Sequence, residues 1–219
     1  MTVAEIIAEV RFALDDPEQT VPSDSLWSDN EIISALNWAE RDLCRLRMIV
    51  DSTSAVTTFP VAAVATVYPR TYPISALIRD IERLKYSGVS TCLTQMTREE
   101  LDVHDPGWED MEGIPSAFIV DRGFITFSRW PTADATVTMT VVRKPLAPMS
   151  LGGSPEVVGV DEELMHGALS RLYLKPDTET FDKTAAARWK SLFMEDMSAL
   201  QRESAALSPQ VYATRPERF

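Results

Sequence analysis

Helical periodicity occupies both ends of this 219-residue chain, and residues 51–150 between them read mostly as strands. A helix needs a partner for its apolar stripe, and a sheet needs one for its apolar face. The simplest solution packs helices from the two ends of the chain against each other. The middle then forms a separate β-rich lobe, inserted into a helical domain. The expected class is therefore α+β, a bundle of N- and C-terminal helices carrying an inserted β-rich lobe. The boundaries predicted are 1–50 and 151–206 for the helical domain, 51–150 for the lobe, and 207–219 for an extended C-terminal tail.

Local signals support this layout. Thr2 and Glu5 form a capping box that opens a helix over 3–14, with Ile6, Ile7, Val10, Ala13 and Leu14 at helical spacing. Asp15-Asp16-Pro17 ends it, and 17–26 reads as a loop. Ser28 and Glu31 form a second capping box, with Trp27 placed to staple onto Ile32. Ile32, Ile33, Leu36, Ala39, Leu43 and Leu46 then predict a helix from 29 to about 49. Its acidic first turn (Asp29, Glu31) and its late Arg41, Arg45 and Arg47 suit the helix dipole.

The middle is less uniform. Residues 51–68 have strand-like composition. In 72–87, Ile74, Leu77, Ile78, Ile81 and Leu84 recur at helical spacing, whereas the strand-like stretch before and Gly88 after favour strand pairing near Leu77–Tyr86. Thr97 and Glu100 cap a short helix that reaches about His104 and breaks at Asp105-Pro106-Gly107. Three apolar runs follow (117–120, 124–128 and 135–143), the first two joined by a turn at Asp121-Arg122-Gly123. They predict a β-meander. The Pro-, Gly- and Ser-rich 144–158 is a linker. Helix resumes at Asp161 with Leu164, Ala168, Leu169 and Leu172, and breaks at Lys175-Pro176. A last helix over Thr178–Ala206 carries Phe181, Ala185, Trp189, Leu192, Phe193, Met197 and Leu200.

Composition narrows the function. A net charge of −12 repels a phosphate backbone, so sequence-specific nucleic-acid binding is not expected. An acidic surface does suit DNA that must slide without being held. The acidic N-terminus is unlike a signal peptide, and no apolar run approaches the length of a membrane span, so a soluble protein is expected. Cys44 and Cys92 are too few for a disulfide framework and read as reduced thiols in a compartment such as a bacterial cytoplasm.

No catalytic constellation emerges. His104 has Asp102 and Asp105 beside it, but residues at successive positions near a helix end point in different directions. A helix-terminal His facing the dipole is the simpler role. His166 sits in an amphipathic pattern without a His or Cys companion. Ser90, Ser128 and Ser150 lack a glycine-flanked elbow. Cys44 has only Arg41 and Arg45 near it. Glu99-Glu100 and Asp161-Glu162 lie at helix starts, where capping explains them. Gly152-Gly153 lacks the Lys-Ser/Thr of a phosphate cradle. Trp27, Trp38, Trp108, Trp130 and Trp189 are scattered with no basic stripe between them. No catalytic residue, cofactor or metal is expected.

Taken in order, the landmarks resemble the head–tail adaptor (connector) proteins of tailed bacteriophages. The stretch Trp27-Ser28-Asp29-Asn30-Glu31-Ile32, leading into Leu36-Asn37-Trp38-Ala39, is similar to the opening helix of that family. Further resemblances are Gly113-Ile114-Pro115-Ser116-Ala117-Phe118, Ile125 to Pro131, Val141-Val142-Arg143-Lys144-Pro145-Leu146, and the helix from Glu162 to Tyr173. The resemblance spans about 25–205. It implies a non-enzymatic virion protein of the neck, made in the host bacterial cytoplasm. Such subunits form a ring, usually twelve-fold, beneath the portal protein. The ring extends the channel for double-stranded DNA and docks tail or nozzle proteins, with no membrane involved. A terminal segment of such adaptors often reaches into the portal. Here Val211, Tyr212, Arg215, Arg218 and Phe219 in the proline-containing tail are the portal-binding candidates. They are expected to order only on binding. The rival readings are a small hydrolase with an interlobe site, another neck component such as a stopper or tail-completion protein, and a cytosolic adaptor with no viral role.

Overall fold

The computed structural model describes residues 1–16, 26–46, 48–62, 69–176 and 181–207. In chain order the elements are α1 (Val3–Ala13), α2 (Asp29–Leu43), β1 (Val50–Asp51), β2 (Thr58–Val61), β3 (Thr71–Pro73), β4 (Ile78–Tyr86), β5 (Thr94–Gln95), α3 (Arg98–His104), β6 (Ala117–Asp121), β7 (Phe124–Phe127), β8 (Ala135–Arg143), α4 (Asp161–Leu172) and α5 (Lys183–Leu207). The fold is α+β, with N- and C-terminal helices flanking a β-rich region. The chain divides into two compact units, Met1–Met48 with Pro145–Phe219, and Ile49–Lys144.

In the helical unit the capping boxes predicted at Thr2 and Ser28 both form, opening α1 and α2. Thr2 and Ser28 each accept from the backbone N–H three residues on, and Glu5 and Glu31 reach back to the cap N–H. α1 ends in a Schellman turn. Asp15 takes a positive φ of 55°, and the N–H groups of Asp15 and Asp16 donate to Phe12 O and Arg11 O. α2 stops at Leu43 and tightens into a 3-10 turn over Cys44–Leu46, short of the predicted end near 49. The reason is that Ile49 already accepts a ladder hydrogen bond from Arg143 N–H, so the helix must end earlier. α2 packs on α4, α4 on α5, and α1 on both α2 and α4. Gly167 makes the closest approach possible. A Cβ there would lie 2.7 Å from Ala39 Cβ and 3.0 Å from the Phe193 ring.

α5 begins later than predicted. Asp182 Oδ1 accepts from the N–H groups of Thr184 and Ala185, which fixes the start at Lys183. Phe181 therefore lies outside the helix and is exposed, not on its apolar stripe. Residues 177–180 lie outside the described residues.

The β unit holds two four-stranded sheets. In the first, β8 is central, with β4 on one side and β1 and β2 on the other, all antiparallel. The second has the order β3-β7-β6-β5, with only β5–β6 parallel. Their facing sides share one apolar core, including Tyr72, Leu84, Phe118, Ile125, Phe127, Val137 and Met139. α3 covers part of the outer face of the second sheet, where Leu101 and Trp108 pack on Ala117 and Ile119.

The strand favoured near Leu77–Tyr86 forms as β4, Ile78–Tyr86. The competing helical spacing of Ile78, Ile81 and Leu84 arises because β4 slips register against β8 between Ile78 and Asp80 and again between Ile81 and Arg83. Each bulge adds one residue and turns a period of two into three. The predicted meander, in contrast, is broken. β6 and β7 form a tight hairpin over Arg122 (φ 48°) and Gly123 (φ 83°), the signature of a type I′ turn. β8 instead crosses to the other sheet.

Candidate interaction surfaces

The residues that carry family-like motifs turn out to fasten the fold. Asn37 and Glu40 on α2 hold the segment after β8. Asn37 Oδ1 accepts from Met149 N–H at 2.7 Å, and its amide donates to Ile33 O. Glu40 is buried and its Oε1 accepts from Glu156 N–H at 2.8 Å and Val157 N–H at 3.3 Å. Burial pushes the Glu40 carboxyl above its ordinary value, against the pull of those two hydrogen bonds. A charged residue one turn from Leu36 and three before Leu43, inside an apolar stripe, was the sequence signal for this role.

Arg11 plays a similar part between α1 and α2. It is buried, and its guanidinium donates to Asp16 Oδ2, Trp27 O and Asp29 Oδ1. Asp16 in turn accepts from the N–H groups of Leu26 and Trp27. The charged residues thus position the Trp27 staple, and Trp27 and Ile32 are both buried.

In the β unit, Arg143 at the end of β8 donates to the Asp51 carboxylate on β1, and both are buried. Burial opposes ionisation of Asp51, but hydrogen bonds from Ser54, Thr53 and Arg143 outweigh it and hold the carboxyl well below the usual carboxylate range. Lys144 N–H donates to Leu77 O, and its ammonium reaches Ala76 O. The strands where the chain enters and leaves this unit are therefore tied to each other. Gly113 N–H donates to Trp130 O, and Ser116 and Ala117 N–H groups donate to Ser128 Oγ.

This last contact answers one catalytic candidate, since Ser128 is buried and bound to backbone. The others fare alike. Asp102 accepts from Trp108 Nε1 at 2.7 Å and Asp105 pairs with Arg129, while His104 is exposed at the end of α3. Glu100 serves its helix cap. Cys44 is a buried free thiol. Gly152-Gly153 forms a turn, with Gly153 O accepting from Val3 N–H. His166 has a partner that sequence did not reveal. Its Nδ1 lies 2.7 Å from Asp196 Oδ2 on α5, with the ring 5.3 Å from Trp189. Burial, with the charges of Asp196 and Glu162 nearby, raises the Glu163 carboxyl. Among the described residues no group of three or more His, Cys, Asp or Glu side chains could hold a metal ion. No helix among them is long and apolar enough to cross a membrane.

Two surface concavities remain, one in each unit. In the helical unit a groove of about 380 Å³ runs over α1, lined by Ala4, Ile7, Ala8, Phe12 and Leu151 together with the Arg11–Asp29 pair. Phe12 is 84% exposed. α5, at 25 residues, is about twice as long as α4, at 12, and beyond Phe193 none of its described side chains is fully buried. In the β unit a wider, open hollow of about 790 Å³ lies between the start of α3 and the outer face of the second sheet, beside Thr71, Asp121, Phe124 and Thr126. The portal-binding candidates Val211, Tyr212, Arg215, Arg218 and Phe219 lie outside the described residues.

The family model described as SU10 adaptor protein matches residues 1–213. No curated protein matches the chain closely enough to count as a relative.

Proposed function

From the premise that this chain belongs to the SU10 adaptor protein family, a phage adaptor family, we propose that it is a structural subunit of the virion neck. It forms a ring beneath the portal, extends the DNA channel and docks tail proteins. The match over residues 1–213 is the observation that carries this reading.

The physics of the fold is consistent with it. A ring uses head-to-tail contacts, so each subunit must present two different complementary faces. A helical unit and a β unit, each with its own core, supply unlike surfaces. The charged residues buried in both units fasten chain segments within each unit. With a net charge of −12, a lumen formed by copies of this chain would not grip passing DNA. The apolar and basic residues after α5 make the tail the portal-binding element, ordered on binding. The number of copies expected is twelve.

Removing residues 208–219 tests this assignment, because the cut falls just after Leu207, where α5 ends. The shortened chain should keep its circular dichroism spectrum and lose co-sedimentation with portal rings. Undiminished portal binding would refute the tail's role.

A further inference from the structure

We propose that the groove over α1 receives α5 of the neighbouring copy, so that this pair of helices forms the repeating contact of the ring. The inference rests on the ring reading above and adds the surfaces that make it.

Shape is the first observation. Ala4, Ala8 and Phe12 recur every four residues along the exposed side of α1 and present two small side chains and one large. α5 carries a matching exposed stripe, Ala187, Ser191, Met194 and Ser198, in which Met194 is the one large side chain and is 53% exposed. The large residue of each helix can seat on the small residues of the other, as ridges fit grooves in helix pairs. Methionine adapts well to such a site.

Charge selects the occupant. The exposed ionic residues flanking the α1 stripe are Glu5 and Glu9. The first two turns of α5 carry Lys183, Arg188 and Lys190, all exposed, with no acid from Lys183 to Lys190; past them the stripe meets one exposed acid, Glu195, beside Met194. An acidic-edged groove in a protein of net charge −12 would repel most of the surface of another copy, and this basic segment is the part that suits it. Placement completes the case. α1 packs on α2 and α4, while α5 packs on α4 and the Cys44–Leu46 turn, so each is joined to the bundle through α4. Every copy then offers one groove and one ridge, and the contact propagates head to tail.

Mixed cysteine variants, which retain the buried Cys44, test this. Ala8→Cys and Met194→Cys are each made with Cys92→Ser, and the two are assembled together on portal rings, where electron microscopy first verifies a ring. Oxidation should give a disulfide-linked dimer in the mixture and none with either variant alone. Lys190→Glu should lower ring yield by about tenfold, and adding Glu9→Lys should restore it. Verified rings with no mixed dimer, or no rescue by the charge swap, overturn this interface and leave the ring reading standing. Native chain that forms no ring on the portal overturns both. Circular dichroism melting of each variant separates misfolding from lost assembly, and a folded Lys190→Glu chain that assembles normally also counts against the proposal.

Discussion

At the scale of single residues, the buried charges set the most specific expectations. Asp51 and Arg143 are mutually paired in the β unit, so removing one strands the other. Asp51→Ala should cost about 3–5 kcal/mol, read from urea unfolding, and replacing both by apolar residues should recover most of it. The pH dependence has a definite sign. The folded Asp51 carboxyl is held below its unfolded value, so its contribution is fully present above about pH 4 and fades as pH falls towards the folded value. Native protein should lose stability below about pH 4 more steeply than Asp51→Asn. Glu40 runs the other way. Burial raises its folded value, so stability falls as pH rises through that value. Glu40→Gln keeps an acceptor for Glu156 and Val157 N–H groups. It should match the native chain near pH 4 and exceed it near pH 7 in urea midpoint. Gly167→Ala inserts a methyl group between Ala39 and Phe193, and a thermal melt should show a loss of about 1–3 kcal/mol.

At the scale of elements, the hairpin β6–β7 and the helix starts carry the local code. Arg122 sits in a left-handed conformation that Asn tolerates better, so Arg122→Asn should raise stability by up to about 1 kcal/mol in denaturant unfolding. What was legible in the sequence was of this local kind. The capping boxes at Thr2, Ser28 and Thr97 involve residues three apart, and all three formed as read. The breaks at Asp15-Asp16 and Asp105-Pro106-Gly107 were equally local. Ambiguity and misreading arose mostly where a distant partner decides, and once where a local cap was overlooked. β4 looked half helical because its bulges are set by register against β8, many residues away. The α2 end is fixed by the Ile49 bond to Arg143. The α5 start was placed too early because Phe181 fits a stripe that Asp182 cuts off. Runs 117–120, 124–128 and 135–143 are consecutive strands, but nothing in them says that the third joins a different sheet. Glu40, Arg11 and the His166–Asp196 pair were legible only as polar residues on apolar stripes, without their partners.

At the scale of the whole molecule, an inserted unit whose first and last strands are tied by Asp51 and Arg143 can vary its surface without disturbing the helices that carry it. The proposed ring divides its tasks on that basis: α1 and α5 join copies, and the tail beyond Leu207 meets the portal. Cryo-electron microscopy of the particle neck tests this most directly. The account predicts a ring of this chain seated on the portal, with its helical and β units recognisable in every copy and density for the tail inside the portal. A neck reconstructed without this polypeptide would contradict it.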